Sequence, residues 1–185
     1  MVTKKEIRRQ IRKLRSQNSI NNFIAGSNVI CGKVIRTEAF RVCGCVYCYI
    51  DCQEEVSTRR IVEEAFRLGK RVAAPKIVQD EMIFYYIHGY EDLEYGYFGV
   101  MEPITGELAQ EEEALMIVPG VAFDRYRHRV GYGKGFYDRY LSAHKKHGTI
   151  AVGFDFQVLE EVEYDGKDQL PQVLMTEMRT YGMLK

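Results

Sequence analysis

The sequence predicts an α/β protein, a mostly parallel sheet covered by helices on both faces in three layers. Two observations carry that expectation. Along the chain, short β-branched and aromatic runs alternate with amphipathic helix patterns. In residues 118–141, VPGVAFDRYRHRVGYGKGFYDRYL, a glycine-rich basic loop joins the apolar run Leu115–Val118 to a helix pattern carrying Phe136, Tyr140 and Ala143. A strand-to-helix loop of this kind is where α/β folds bind anions. With 185 residues and 46% apolar content the chain can bury one core of ordinary size, so residues 1–185 are expected to form a single domain.

Each element follows from local pattern. Thr3 is placed to cap a first helix, in which Ile7, Ile11 and Leu14 recur at i, i+4 and i+7 as one apolar stripe. At about 100° per residue, Lys4, Arg8 and Arg15 fall together beside the stripe, where they can lean over a cleft or form a solvated basic face. A second helix is predicted over residues 20–37, weakened by Gly26 and Gly32. Residues 41–50 predict a strand, ending in the polar turn 51–55. Ser57 or Thr58 then caps a helix carrying Ile61, Ala65 and Leu68, closed by Gly69, and residues 71–74 predict a second strand stopped at Pro75. Such a β-α-β unit makes its two strands parallel. Residues 82–87 predict another strand, and the acidic, glycine-spotted stretch 91–113 is mostly loop. A helix over 136–147 follows the glycine loop, then strands at 149–154 and Val173–Met175.

Formal net charge is zero, but charge is local: residues 1–15 hold seven Lys or Arg against Glu6 alone, and residues 91–113 hold eight acids and no base. The basic first twenty residues contain no apolar signal-peptide core, and no run approaches the roughly 18 apolar residues that span a bilayer. The expected location is the cytoplasm, with no membrane partner. Five cysteines, at 31, 43, 45, 48 and 52, argue against a disulfide framework in such a chain. The 43–52 cluster resembles a metal site in spacing, but strand alternation puts Cys43 and Cys45 on one side and Cys48 on the other, so buried thiols are expected instead.

The glycine loop carries the chemistry. Gly131, Gly133 and Gly135 free backbone N–H groups to point at an oxyanion, Arg129 and Lys134 add positive charge, and Asp138 is the hard-oxygen ligand that magnesium takes beside phosphates. The spacing is neither a Walker loop nor the dinucleotide fingerprint, and by composition alone it also fits a surface turn with a helix cap. With Lys4 and Arg8 alongside, the residues suggest a magnesium nucleotide, and the aromatics from Tyr132 to Tyr137 can stack on a flat heterocycle.

The ordered residues Pro119, Gly120, Phe123, Asp124, Arg129, Gly131, Gly133, Gly135, Phe136, Tyr137 and Asp138 resemble the signature of the 5-formyltetrahydrofolate cyclo-ligases, also called 5,10-methenyltetrahydrofolate synthetases. Three further motifs occur in order: Lys4, Ile7 and Arg8; Glu55 and Val56; and Gly96, Gly99, Val100, Glu102 and Pro103. The resemblance implies ATP-driven closure of 5-formyltetrahydrofolate to the 5,10-methenyl form, with ADP and phosphate released. It implies ATP contacts from Lys4, Lys5, Glu6, Ile7 and Arg8, and from Arg129, Val130, Gly131, Tyr132, Gly133, Lys134, Gly135, Phe136 and Tyr137. Folate contacts are implied for Ile50, Glu55 and Tyr132 to Phe136, magnesium for Asp138, and stabilisation of the moving phosphoryl group for Lys134 and Arg129.

Two positions depart from the family pattern. Family members commonly end with His-Asp and, four residues on, a second metal-assisting Asp; the matching positions here read as Lys167, Asp168 and Gln172. Phe136 stands where Tyr is frequent. These departures keep open a relative with altered activity, and seven Lys or Arg against two Asp in residues 124–146 keep open a nucleic-acid-binding module. The leading expectation is a monomeric enzyme acting on ATP and a folate, without nucleic acid.

Overall fold

The computed structural model describes residues 2–52, 54–96 and 99–184, so Gln53 in the predicted 51–55 turn, and Tyr97 and Phe98 in the predicted acidic loop, lie outside the described residues. Thr3 starts helix α1 (Lys4–Ser16) through a reciprocal capping box, its hydroxyl accepting from the Glu6 amide while the Glu6 carboxylate accepts from the Thr3 amide at 2.9 Å. The predicted second helix is α2 (Ile20–Ile35), and a short helix α3 (Glu38–Val42) follows it because the Thr37 hydroxyl accepts from the Phe40 amide and starts a new one. That short helix takes residues 41 and 42 out of the predicted strand, and β1 is only Cys45–Cys48. Cys43 therefore lies at the end of α3 and not in a strand.

After α4 (Arg59–Arg67), Gly69 turns the chain at φ +69° into β2 (Arg71–Val78). Thr58 precedes α4 without capping it, its hydroxyl donating instead to the Tyr49 carbonyl at 2.8 Å. Pro75 does not stop β2. The neighbouring β1 pairs only with Arg71 to Ala73, so from Ala74 onward β2 has one partner, β3 (Glu81–Ile87), and a missing N–H is tolerated on the open side. The stretch predicted as loop contains a small antiparallel pair, β4 (Leu93–Tyr95) and β5 (Met101–Pro103).

The remaining elements are β6 (Leu115–Val118), β7 (Ala122–Asp124), β8 (Arg129–Val130), α5 (Phe136–Ala143), β9 (Gly148–Val152), β10 (Val158–Leu159), β11 (Val173–Met175) and β12 (Thr180–Gly182). Helix α5 ends four residues before the predicted boundary at 147. The main sheet has the order β12-β11-β9-β6-β1-β2-β3, with β11, β9, β6, β1 and β2 parallel and the two edges, β3 and β12, antiparallel. Strands β10, β7 and β8 make a second sheet, which the sequence pattern does not reveal because each is three residues or shorter.

Alternation along β1 and β6 sets the layers. Val46, Cys48, Leu115 and Ile117 face Ile30, Val34, Ile61 and Ala65 of α2 and α4, whereas Tyr47, Met116 and Val118 face Leu141, Phe136 and Tyr140 of α5. Helices thus cover both faces, as predicted. Helix α1 lies on neither face of the main sheet; its Ile7 and Ile11 pack with Val121, Ala122 and Val130 of the second sheet region.

Ile117 is fully buried on the central strand. Ile117→Ala should lower unfolding free energy by about 2–5 kcal/mol, read by urea denaturation. Cys45 and Cys48 point to opposite faces and Cys43 sits off the strand. Elemental analysis of protein purified without chelator should therefore find no stoichiometric zinc or iron; about one metal per chain would contradict that geometry.

Candidate active site

Strands β1, β2 and β6 end on the same edge because they are parallel, and between β1 and β6 the chain departs in opposite directions, to β2 on one side and to β9 on the other. Such a switch point opens a crevice at the carboxyl ends. Here it holds a cavity of about 370 Å³, lined by Tyr49, Ile50, Cys52 and Glu55 after β1, Pro75 in β2, Val100 and Met101 at β5, Pro119 after β6, and Arg129 and residues 131–138 of the glycine loop except Gly133.

The glycine loop has the backbone that its sequence requires. Gly133 lies at φ +107° and Gly135, the residue before α5, at φ +68°, where a side chain is disfavoured. Among the described residues, no amide from Tyr132 to Gly135 donates a hydrogen bond within the protein. Those donors, with the start of α5, are available to an anion. Lys134 is exposed at the pocket, and among the described residues its ammonium has no acidic partner.

Arg129 is placed differently from a free cation. It is 5% exposed, and its Nη2 donates to Asp138 Oδ1 at 2.7 Å. Its guanidinium stands 5.8 Å from the Tyr137 ring centroid. Gly120 makes room for it, since a Cβ there would lie 3.0 Å from Arg129 Cγ and 2.5 Å from the Phe123 ring. Asp138 Oδ1 also accepts from the Gln169 amide at 3.1 Å, which leaves Oδ2 for other ligands. Asp124, fully buried, accepts from the Tyr126 and His128 amides and from His128 Nδ1, so it shapes the β7-β8 turn and is not in the cavity.

The basic helix divides. Glu6 caps α1 and Ile7 is core. Lys5 is exposed, away from the lining residues. Arg8 Nε donates to the Gly131 carbonyl at 2.8 Å, and its guanidinium lies against Gly133. Lys4 binds Asp168 at 2.6 Å and Asp165 at 3.3 Å; burial opposes its charge, but these two carboxylates hold its pKa above the ordinary lysine value. The Val130 side chain is core.

On the opposite wall, Glu55 Oε2 accepts from the Cys52 amide at 3.0 Å and lies 3.3 Å from Cys52 Sγ. Its Oε1 accepts from the Tyr132 hydroxyl, and Arg15 Nη2 reaches the same hydroxyl. Burial, with Glu55 adding to it, pushes the Cys52 thiol up to about 12, so it enters as a weak donor and not as a nucleophile.

Gln172 proves remote from this chemistry: its side-chain oxygen accepts from the Thr149 amide at 2.9 Å and its own amide donates to the Thr149 hydroxyl at 2.9 Å, at the amino-terminal edge of β9 and β11. Of the seven basic residues of 124–146, Arg129 is buried, Arg127 donates to the Pro171 carbonyl at 3.0 Å and Lys146 pairs with Glu112. Sequence reading placed Arg15 beside Arg8 but gave it no ligand role, and it missed Tyr49, Cys52 and Met101, whose positions depend on the sheet edge.

The model of the 5-formyltetrahydrofolate cyclo-ligase family matches residues 1–177. A probable 5-formyltetrahydrofolate cyclo-ligase of Schizosaccharomyces pombe is 31% identical over 167 residues, covering 80% of this chain and 81% of the relative. The Escherichia coli K12 5-formyltetrahydrofolate cyclo-ligase is 30% identical over 135 residues, covering 68% and 74%. The solution structure of the Aquifex aeolicus 5,10-methenyltetrahydrofolate synthetase superposes with a TM-score of 0.85 at 31% identity, over 97% of this chain and 92% of that one. A Mycoplasma pneumoniae 5,10-methenyltetrahydrofolate synthetase, at 21% identity, shares the fold with a TM-score of 0.73. The chain belongs to the 5-formyltetrahydrofolate cyclo-ligase family.

Proposed function

We propose that the protein closes 5-formyltetrahydrofolate to 5,10-methenyltetrahydrofolate at the expense of ATP, releasing ADP and phosphate, with the whole 1–185 chain acting as one unit. The observation that carries this reading is the meeting, across one crevice, of an anion-ready glycine loop bearing Lys134 and a carboxylate wall bearing Glu55. The first suits a polyphosphate; the second suits the amino and ring N–H groups of a pterin. No helix among the described residues is long and apolar enough to cross a membrane.

A formyl group on nitrogen is a poor electrophile because the nitrogen lone pair is delocalised into its carbonyl. In the reaction as we read it, the γ-phosphoryl group of ATP passes to the formyl oxygen and ADP leaves. The anilino nitrogen then attacks the formyl carbon and loses its proton. The C–O bond breaks, and phosphate departs with that oxygen as the cationic C=N bond forms. No protein nucleophile is needed, and the chain contributes alignment and charge. The loop amides and Lys134 hold the phosphates, Ile50 and Tyr49 border the ring, and Glu55 accepts its N–H groups. Arg129 orients Asp138 and adds charge to the same wall.

Asp138, with Oδ2 open beside a phosphate site, fits magnesium, which takes one or two carboxylates and completes its shell with phosphate oxygens and water. When bound it would neutralise charge on the terminal phosphates. Asp168 is already engaged by Lys4, and Gln172 is too distant in the fold to weaken that site.

Incubation with ATP, magnesium and 5-formyltetrahydrofolate should give the methenyl absorbance, and omission of ATP should abolish it; no absorbance change with all three present would refute the reading. Lys134→Ala should lower kcat about a hundredfold or more with little loss of calorimetric ATP affinity, because an interaction made in the transition state acts on kcat. Wild-type kcat at saturating ATP would reduce Lys134 to a binding residue. Lys4→Ala should raise the ATP KM about tenfold, on the order of 1.4 kcal/mol. It should also lower stability by on the order of 1 kcal/mol, because the partly buried Asp168 loses its partner.

A further inference from the structure

Glu55 is crowded before any substrate arrives. A carboxylate has about four lone-pair sites. Three donors already use them: the Cys52 amide, the Cys52 thiol and the Tyr132 hydroxyl. A heterocycle presenting an amino group and a ring N–H side by side needs two acceptor positions at once. With Oε2 taken by both Cys52 donors, the pair of positions has to come from Oε1, and the Tyr132 hydroxyl has to leave it. The Cys52 amide is fixed in the turn, where the Glu55 amide donates to the Cys52 carbonyl at 3.1 Å. Tyr132 is the movable one: it sits between Gly131 and Gly133 on a loop whose amides from 132 to 135 donate no hydrogen bond among the described residues, and it is 54% exposed at the pocket.

Arg15 supplies a place for the displaced hydroxyl. Its side chain projects from α1 toward the same point, it is 8% exposed, and its Nε is buried with no hydrogen-bond partner among the described residues. Its Nη2 stands 3.5 Å from the Tyr132 oxygen, at the outer limit of a hydrogen bond, so it lies beside the phenol without holding it. A buried donor left unsatisfied has an uncompensated desolvation cost, which a nearer phenol oxygen would relieve.

We infer that Tyr132 is a specificity-determining residue that occupies Glu55 Oε1 and is displaced onto Arg15 by a substrate able to place two donors on that oxygen. The folate identity of that substrate rests on the function proposed above. A ligand with one N–H, or none, would leave Tyr132 in place and meet a half-closed pocket. In this arrangement Tyr132 opposes ground-state binding and Arg15, a positioning residue, lowers that opposition.

The sign of a single variant decides between this and the plainer role of Tyr132 as a brace for Glu55. Equilibrium dissociation constants for 5-formyltetrahydrofolate, measured by calorimetry without ATP, should fall about threefold or more in Tyr132→Phe and rise about threefold or more in Arg15→Met. The Tyr132→Phe/Arg15→Met double variant should match Tyr132→Phe alone, since without the hydroxyl there is nothing for Arg15 to receive. Arg15→Lys, which keeps a donor, should restore at least half of the lost affinity, and thermal melting of each variant reports folding separately. Weaker binding in Tyr132→Phe, or additive effects in the double variant, overturns the inference. Wild-type protein that binds the folate but does not convert it with ATP would refute the proposed reaction while leaving this test intact. Wild-type protein that does not bind the folate overturns both.

Discussion

The parallel pairing of β1 with β6 is the constraint on which the site depends. Three residue pairs, Val46 with Leu115, Tyr47 with Met116 and Cys48 with Ile117, fix the register of two strands whose connections leave in opposite directions. Because α4 follows β1 on one face and α5 follows β6 on the other, no helix covers the gap above this pair. Tyr49 and Ile50 continue one strand into that gap and Pro119 continues the other. The crevice therefore results from strand order, and its chemistry from what the two connections carry: a carboxylate turn after β1 and a basic glycine loop after β6.

Much of this was legible in the sequence because it is local. The Thr3 cap of α1, the helix closed by Gly69 in the β-α-β unit, and the glycine loop each rest on residues within a few positions of one another. What the sequence did not reveal depends on partners far along the chain. Pro75 reads as a strand stop in isolation, but β1 is too short to pair with it. Strands β7, β8 and β10 are too short to show a period and exist only because they pair together. Arg129 reads as a free phosphate cation until α5 brings Asp138 to it, 2.7 Å away. Gln172 reads as a substituted metal ligand by spacing from Asp168, yet it spends both its hydrogen bonds on Thr149 at the other edge of the sheet. The carry-over of Lys4 to Arg8 as one contact set likewise separates, by helical geometry, into a cap, a core residue and two cations that face different neighbours.

A common electrostatic pattern joins charged residues of the cavity, Glu55 and Asp138, with Asp168 outside its lining. Asp138 has Arg129, Asp168 has Lys4, and Glu55 has the Tyr132 hydroxyl, so each carboxylate is stabilised before ligands arrive. Lys134 differs, with no acidic partner among the described residues. The pocket thereby presents a net attraction for anions at the glycine loop while its acids keep defined orientations. Preorganisation of this sort lets charge stabilisation act without large rearrangement when phosphoryl groups move.

Helix α1 rests on the small second sheet and not on the main one, with Ile7 and Ile11 as its only fully buried apolar anchors. Yet Arg8 and Arg15 reach from it to the glycine loop. The crevice thus has a floor continuous with the seven-stranded sheet, and its glycine loop is backed by a helix held through a small cluster and a Lys4 tether. Local opening costs least where few apolar contacts are broken. Parting the first helix from the loop would break fewer buried apolar contacts than disturbing the sheet edge.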